Sequence, residues 1–509
     1  VIFSEFRKVQ ERLYTKGAGD DVRPFLTRRM LLAFKNFQEF IDHLDKNGEL
    51  IRIKTPVSPD LEITEITDRV SKDSGKALFF ENVKDSQFPV VTNAFGSPKR
   101  VELAFGQSVE RIAQKIEELI KSQIPEGITD KLKLLPKLIG LAKTPPKTVN
   151  SAPCQEIVHT EPDLSIIPVL KCWPQDGGKF ITLPMVITKS MEDGSRNMGM
   201  YRIQIYDKNT TGMHWHIHKD GANHFYQYVQ NNKRMEAAIA IGCDPATIYA
   251  STAPLPPKVD EYLLAGFLRE KPLEVVRCKT IDIEVPAEAE FIIEGYLDPQ
   301  ERRAEGPFGD HTGFYSPVDE YPVFHATCIT HRKNPVYPAT IVGPPPMEDF
   351  YLAKVTERIF LPLIKMIVPE IVDMNLPGEG VFHNCAIVSI NKTYPMQAQK
   401  VMHALWGMGQ MMNTKLIIIM DGDVDVHNIK TVTWKTLSNV DPRRDLVITS
   451  GPLDALDHSS PYPLHGSKLG VDGTRKIQGE TDRPWPDEIT MSKDIIDLVN
   501  AKWKNYGIT

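Results

Sequence analysis

From Asn36 onward the chain carries a helical period. Phe37, Phe40, Ile41 and Leu44 fall on one helix face, and Gly48 stands where a C-cap would. Leu50-Ile51-Arg52-Ile53 then reads as a strand, and Asp60 is placed to cap a helix through Ile63, Ile66 and Val70. Strands are expected at 77–80 and 89–91. Ser108 should cap a helix with Ile112, Ile116 and Leu119 on one face, and a further helix is expected around Leu132 to Leu141. Thr144–Ala152, with Pro145-Pro146, reads as a linker. After Ala152 the pattern shortens to the period of strands: Phe180–Thr188, Met198–Tyr206, Met213–His218, Met235–Ile241 and Phe291–Glu294. Asp176-Gly177-Gly178, Asp193-Gly194 and Asn209-Thr210 supply turns between them. Helices capped by Asp220 and by Asp260 (Glu261 to Leu268) interrupt this run. Short strands at such spacing suggest a barrel or sandwich. Beyond 333 strands and helices alternate: Cys385–Ile390 a strand, Met396–Met412 a helix, Leu416–Met420 a buried strand.

The pattern therefore predicts an α+β multidomain chain. An α/β domain spans 30–147, a β-rich domain 153–332 and a C-terminal α/β domain 333–509. Residues 1–29 show no apolar period and form an N-terminal extension of uncertain status. The chain opens on Val1, and a natural start at Met30 is expected.

Composition narrows the class. At 509 residues the chain is too long for one ordinary core. A net charge of −6 speaks against a nucleic-acid binder. The apolar stretch Met402 to Met420 is broken by His403, Gln410, Asn413 and Lys415, so no membrane span is expected. The first thirty residues carry charge throughout, unlike a signal peptide. The 6 cysteines are scattered and form no CxxC, which fits reduced thiols in a cytoplasm.

Chemistry concentrates in five stretches. Glu305-Gly306-Pro307-Phe308-Gly309-Asp310-His311-Thr312-Gly313-Phe314-Tyr315 holds two carboxylates that a turn could aim at one point. Paired acids of that kind suit proton transfer, although a surface loop would look the same. Arg196 to Arg202 could present Arg202 to a carboxylate, or form a plain barrel surface. His214, His216 and His218 alternate, so on a strand they would share a face and could share a ligand. Ser251 to Tyr262 offers hydroxyls and Glu261, either as an oxygen ligand or as helix capping. Gly466-Ser467-Lys468-Leu469-Gly470-Val471-Asp472 resembles a phosphate-contacting loop without being a Walker A motif. No GxGxxG, HExxH or GxSxG occurs.

Taken together, Asn197-x-Gly-Met-Tyr-Arg202, Gly242-x-Asp-Pro-Ala-Thr247, Glu305 to Gly313 and Gly466 to Asp472 resemble the UbiD family of decarboxylases. Leu61 to Ile66 and Cys172-Trp173-Pro174 add to the likeness, which runs from about Phe34 to past Trp485 and is nearest to the 3-polyprenyl-4-hydroxybenzoate decarboxylase branch. The resemblance implies a central split β-barrel of flavin-reductase type between the two α/β domains. It implies prenylated FMN supplied by a separate flavin prenyltransferase, Mn2+ with K+ near the phosphate, and a homo-oligomer (dimer or hexamer). It implies metal ligation by Asn197, Glu261 and His218. Met200, Tyr201, Arg202, His214, Trp215, His216, Lys219 and Asp220 would contact the cofactor, and Lys468 its phosphate. His214 and His216 stand where the family usually has arginine and leucine, and Asp220 where it has glycine.

The implied catalytic residues are Arg202, Glu305 and Asp310. Aspartate rather than glutamate at 310 points away from the cinnamate-type enzymes and toward a hydroxybenzoate. The implied reaction is non-oxidative loss of CO2 from an aromatic acid, 3-polyprenyl-4-hydroxybenzoate giving 2-polyprenylphenol in ubiquinone biosynthesis. The implied location is cytoplasmic, peripheral to the inner face of the cell membrane. Competing readings are a naphthoate decarboxylase of menaquinone synthesis, a flavin-free hydrolase or lyase built on the histidine cluster, and a non-catalytic flavin-binding subunit.

Overall fold

The computed structural model describes residues 33–122, 145–216, 219–256 and 258–508. The expected helix around 132–141, the segment 1–29 and His218 lie outside the described residues. The chain divides into two compact units, Val1–Ile359 and Phe360–Thr509.

The first unit opens with the helix Phe37–Lys46. Asn36 caps it by accepting from the Glu39 amide at 2.9 Å, and Phe37, Phe40, Ile41 and Leu44 are buried. The second helix, Glu62–Lys72, does not use Asp60 as its cap. Leu61 occupies that position at φ 68°, and Glu62 reaches back to the Ser58 amide. Ser108 caps Val109–Ser122 as expected, with its hydroxyl 3.2 Å from the Arg111 amide. A helix at Pro98–Phe105, capped by Ser97, escaped the sequence reading because Pro98 stood at its start. Proline at the first helical position costs nothing, since that N–H has no partner anyway. These helices flank a four-stranded sheet of Leu50–Ile53, Ala77–Phe80, Val90–Thr92 and Tyr337–Pro338, in that order.

The β-rich part of this unit corrects the expectation of a split barrel. Its strands form one nine-stranded sheet. The order is Phe180–Ile181, Ile203–Ile205, Thr210–Met213, Asp319–His331, Phe291–Glu305, Met235–Ile241, Pro184–Lys189, Arg196–Met200, with Ile157–His159 added beside Asp319–His331. Every pairing is antiparallel. A barrel requires the two end strands to pair. Here Phe180–Ile181 and Arg196–Met200 do not pair with each other; each has one neighbouring strand, and Phe180 adds only an isolated bridge to Leu170, so the described sheet is open. The Arg196–Met200 edge is satisfied by other means. The Met198 amide donates to Glu261 at 2.8 Å and the Met200 amide to the Ser251 carbonyl at 3.0 Å. An edge whose amides are already occupied has no need of a neighbouring strand. Both sheets share one core, in which Ile63, Leu78 and Phe80 join Ile181, Val186, Ile239 and Phe291.

Two details of this sheet position the chemistry. The expected strand Met198–Tyr206 is broken at Tyr201-Arg202. The expected strand Phe291–Glu294 continues to Glu305. The break turns Arg202 off its strand, and the extension carries Glu305 to it.

The second unit is a five-stranded sheet in the order Ile371–Asn375, Cys385–Ile390, Leu416–Asp421, His465–Asp472, Leu446–Pro452. The central three strands are parallel. The helix expected over Met396–Met412 is shorter, Gln397–Trp406, and gives way to a 3-10 turn at Gly409–Asn413. Gly409, at φ 47°, takes a conformation that ends an α-helix readily.

Candidate active site

The Glu305–Tyr315 stretch is a loop held from behind by the turn after Cys172. Asp176 accepts the amides of Cys172 at 3.1 Å and Trp173 at 2.8 Å through one oxygen, and that of Gly309 at 2.8 Å through the other. The Gly177 amide donates to the Pro307 carbonyl at 2.8 Å. Trp173 packs against Gly309 and Gly343, and its indole donates to the Val342 carbonyl at 2.9 Å. A Cβ on Gly309 would sit 2.2 Å from the Trp173 ring, so only glycine lets the loop pass. Phe308–Gly309 then pairs with Tyr315–Ser316 as a short hairpin.

This clamp presents both acids to one guanidinium. Arg202 Nε donates to Glu305 Oε1 at 2.9 Å and Nη2 to Oε2 at 3.1 Å, a bidentate fork. Nη1 bonds Asp310 Oδ2, and Nη2 also reaches the Ser316 hydroxyl at 2.9 Å. The Arg202 carbon stands 4.8 Å from the Phe308 ring centre. Glu305 is fully buried, and Arg202 and Asp310 nearly so. Burial alone would raise the Glu305 carboxyl; bonds from His214 and Arg202 bring it instead to about 2. Burial would likewise raise Asp310, but His311 and Arg202 hold it well below the usual carboxylate range. Burial also works against the Arg202 charge, yet Asp310 and Glu305 keep its pKa above the ordinary value.

Each acid carries a histidine. His214 Nδ1 lies 3.1 Å from Glu305 Oε2, and its Nε2 lies 2.7 Å from His216 Nε2. Burial lowers His214, so the ring is neutral near pH 7. His311 Nδ1 lies 2.9 Å from Asp310 Oδ1, which also accepts the His311 amide at 2.8 Å. The strand expected over Met213–His218 ends at Met213, so His214 and His216 project from a loop.

A second cluster follows the edge strand. Asn197 and Glu261 are both buried. Burial pushes Glu261 up to about 8 against the pull of the Met198 amide, and among the described residues no cation pairs with it. Tyr201 packs edge-on against Trp215, with centroids 6.3 Å apart. Gly199 and Gly221 leave room for those rings, since a Cβ on Gly199 would lie 2.2 Å from the Tyr201 hydroxyl. Asn197 Nδ2, beside the Tyr201 hydroxyl, and Trp215 Nε1 are buried without a well-formed hydrogen bond. Met200 is partly exposed on the edge strand. Lys219 and Asp220 begin the helix Asp220–Gln230, where Asp220 is the first residue and Lys219 the cap position. Lys468, in the second unit, is buried. Its ammonium donates to the carbonyls of Met412 and Thr414, and burial lowers it to about 8.

The sequence reading missed the Asp176 clamp and Ser316. Cys172-Trp173-Pro174 was noted, but nothing in a turn sequence tells which distant loop it grips. Gly242 to Thr247 is structural: Asp244 caps Pro245–Ala250 and pairs with the buried Arg269.

Comparison with known proteins completes the picture. Three family descriptions match the chain: 3-octaprenyl-4-hydroxybenzoate carboxy-lyase N-terminal domain over 41–120, its Rift-related domain over 147–345, and its C-terminal domain over 350–473. A protein of Archaeoglobus fulgidus, described only as uncharacterized, is 50% identical over 477 residues, covering 93% of this chain and 98% of its own. The vanillic acid decarboxylase of Sedimentibacter hydroxybenzoicus in closed form superposes with a TM-score of 0.82 at 28% identity, over 94% of this chain and 99% of that one. An evolved dimeric form of the UbiD-class enzyme HmfF from Pelotomaculum thermopropionicum, in complex with prFMN, gives 0.75 at 26% identity, over 92% and 100%. With matches spanning both units, the chain belongs to the UbiD family of carboxy-lyases.

Proposed function

We propose that this enzyme decarboxylates 3-polyprenyl-4-hydroxybenzoate to 2-polyprenylphenol, using prenylated FMN. The observation that carries the reading is the buried Arg202 held between Glu305 and Asp310. An arginine already shaped for carboxylates, with two acids on it, can orient an acid substrate and return a proton to the carbon that loses CO2.

The residues present fit the cofactor and its metal. Asn197 and Glu261 offer hard oxygen donors of the kind Mn2+ takes, and among the described residues no cation pairs with the buried Glu261 carboxyl. The buried Trp215 Nε1 and Asn197 Nδ2 donors, which lack a well-formed hydrogen bond, fit a polar ring system. Prenylated FMN, when bound, supplies the electron sink that an arene needs when its carboxyl group leaves.

The protein's own residues do the rest. Arg202 orients the substrate carboxylate. Glu305, fully buried, holds Arg202 in place. Asp310, at the outer end of the clamp, delivers the proton to the ring carbon. Trp173 and Asp176 keep this loop in place.

A flavin prenyltransferase would be the supplier of the cofactor, and a homo-oligomer the working form. Among the described residues no helix is long and apolar enough to cross a membrane. A prenyl-tailed substrate, itself lipid-soluble, would be met at the membrane surface.

Co-expression with a flavin prenyltransferase should give a protein with a flavin-derived absorbance that releases CO2 from 3-prenyl-4-hydroxybenzoate. Turnover by cofactor-free protein would sink the reading. A preference for vanillate or 1,4-dihydroxy-2-naphthoate would keep the chemistry and replace the substrate.

A further inference from the structure

We propose that His214 is a positioning residue of the reaction: it anchors the Glu305 carboxylate, and through it the Arg202 guanidinium, to the nine-stranded sheet. This rests on the reading of Arg202 as the group that orients the substrate carboxylate. Apart from Glu305, the side chains on Arg202 are Phe308, Asp310 and Ser316. All three belong to the loop that ends in the Phe308–Gly309 and Tyr315–Ser316 hairpin. A guanidinium stands at the end of a long side chain, so contacts from a single loop let arginine and loop shift together. Glu305 is the last residue of Phe291–Glu305, and its backbone is paired there with Asp319. Its carboxylate, however, lies beyond rotatable bonds, and the fork with Arg202 fixes it only relative to Arg202 itself.

His214 supplies the missing reference. Among the described residues, Arg202 and His214 are the side chains that bond Glu305. His214 follows Met213, the end of Thr210–Met213, a strand paired on both sides within the sheet. The imidazole is buried and held at three points. Its ring centre lies 4.3 Å from that of Tyr321, on the neighbouring strand Asp319–His331. Nδ1 lies 3.1 Å from Glu305 Oε2, and Nε2 lies 2.7 Å from His216 Nε2. These contacts set the plane of the ring, its direction and its tautomer.

The tautomer follows from the partners. An ionised carboxylate accepts and does not donate, so Nδ1 carries the proton. The His216 N–H then meets the Nε2 lone pair, and that bond selects the Nδ1–H form. Burial disfavours a second proton on the ring. A neutral donor steadies Glu305 without cancelling its charge, so Glu305 remains the full counter-ion of Arg202. His214 acts through Glu305 and touches no reacting atom.

The test uses holoenzyme co-expressed with a flavin prenyltransferase. It is assayed for CO2 release from 3-prenyl-4-hydroxybenzoate and, in D2O, for deuterium entry into 2-prenylphenol. His214→Leu keeps an apolar side chain against Tyr321 and removes the donor. Its kcat should fall by about tenfold or more, and deuterium entry with it, because Arg202 aims Asp310 as well as the substrate. KM should stay within about threefold, and the flavin absorbance per chain should match wild type. His214→Asn places an amide N–H near the position of Nδ1 and should recover most of what His214→Leu loses. Wild-type rates in His214→Leu, an equal loss in both variants, or loss of flavin from His214→Leu would each overturn the proposal. Imidazole 15N NMR on the wild-type protein covers the case in which the variants do not fold. Among its histidines one buried ring should carry its proton on Nδ1 and show Nε2 as an acceptor, and Glu305→Gln should shift that Nδ1 signal. A spectrum with no such ring overturns the anchor. Wild-type holoenzyme that neither releases CO2 nor exchanges deuterium would defeat the decarboxylase reading itself, while the 15N spectrum would still judge the His214–Glu305 bond.

Discussion

Gly177 and Gly178 are adjacent, and the structure separates them sharply. A Cβ on Gly177 would lie 2.1 Å from the Gly306 carbonyl oxygen, which is backbone and cannot rotate away. A tolerable carbon–oxygen contact is about 3.3 Å, so Gly177→Ala must open the gap between the two loops by about 1 Å. Gly177 also donates to Pro307 at 2.8 Å, and that bond would lengthen with the gap. Overpacking of this size costs about 1–3 kcal/mol. The functional cost should be larger in proportion, because Gly306 follows Glu305 directly. A misplacement of about 1 Å in a positioning element is worth about 100-fold in rate. Gly178→Ala is the control, since its Cβ would lie 3.2 Å from the movable end of the Gln204 side chain and no closer than 3.7 Å to backbone, at the Ile205 carbonyl. Urea melts of both variants should show Gly177→Ala destabilised by about 1–3 kcal/mol and Gly178→Ala within about 0.5 kcal/mol of wild type. Holoenzyme kcat should separate them by about two orders of magnitude. Equal behaviour of the two variants in both assays would refute the clamp.

Three further outcomes follow from the same contacts. Glu305→Gln should lose decarboxylation and deuterium entry while the flavin absorbance persists. The depressed Glu305 pKa contributes stability that is complete above about 4.5 and lost as pH falls toward about 2, a shift worth roughly 3 kcal/mol, so the wild-type advantage in urea melts should shrink only in acid. An advantage that stays constant down to pH 3 would count against that origin. Asp176→Asn replaces a carboxylate that accepts three amides, and should cost about 1–3 kcal/mol and lower kcat without loss of flavin; unchanged kcat would separate the clamp from catalysis. Lys468 is charged below about 8 in the folded protein and below about 10.5 when unfolded, so folding stability should rise with pH across that window. The rise should be absent from Lys468→Met, and equal slopes in the two proteins would show that Lys468 is not its source.

Local periodicity revealed the elements whose identity depends on their own residues. Phe37, Phe40, Ile41 and Leu44 declare a buried helix face, and Asp260 declares a cap, bonding the Tyr262 amide at 2.9 Å. The barrel expectation failed because closure is decided by what lies beside the outermost strands. Glu261 and Ser251, each more than fifty residues after the Met198 or Met200 amide that it accepts, occupy the edge instead. The Arg202, Glu305 and Asp310 motifs were visible as residue types, and their meeting depends on a strand break and a strand extension that alternation alone did not reveal. Asp60 shows the limit of cap signals: it looked like a cap, but the preceding turn put Leu61 there. Trp173 and Asp176 act on a loop some 130 positions away, as the Asp176 to Gly309 bond shows, and no local pattern encodes such a grip.

The Arg202 guanidinium places four of its five N–H groups on the protein's own Glu305, Asp310 and Ser316. On the proposed reading, an incoming carboxylate is a competitor of an internal one. Glu305, doubly bonded and fully buried, is the harder to displace, so the exchange falls on Asp310. Released from Arg202, Asp310 loses one of the interactions that kept it ionised and becomes easier to protonate. Substrate entry thereby arms the acid. Once the carboxyl group has gone, the phenol offers no anion to Arg202 in its place, and Asp310 closes back onto it. The site thus favours an acid over its own decarboxylated product through a displacement that only the acid can perform.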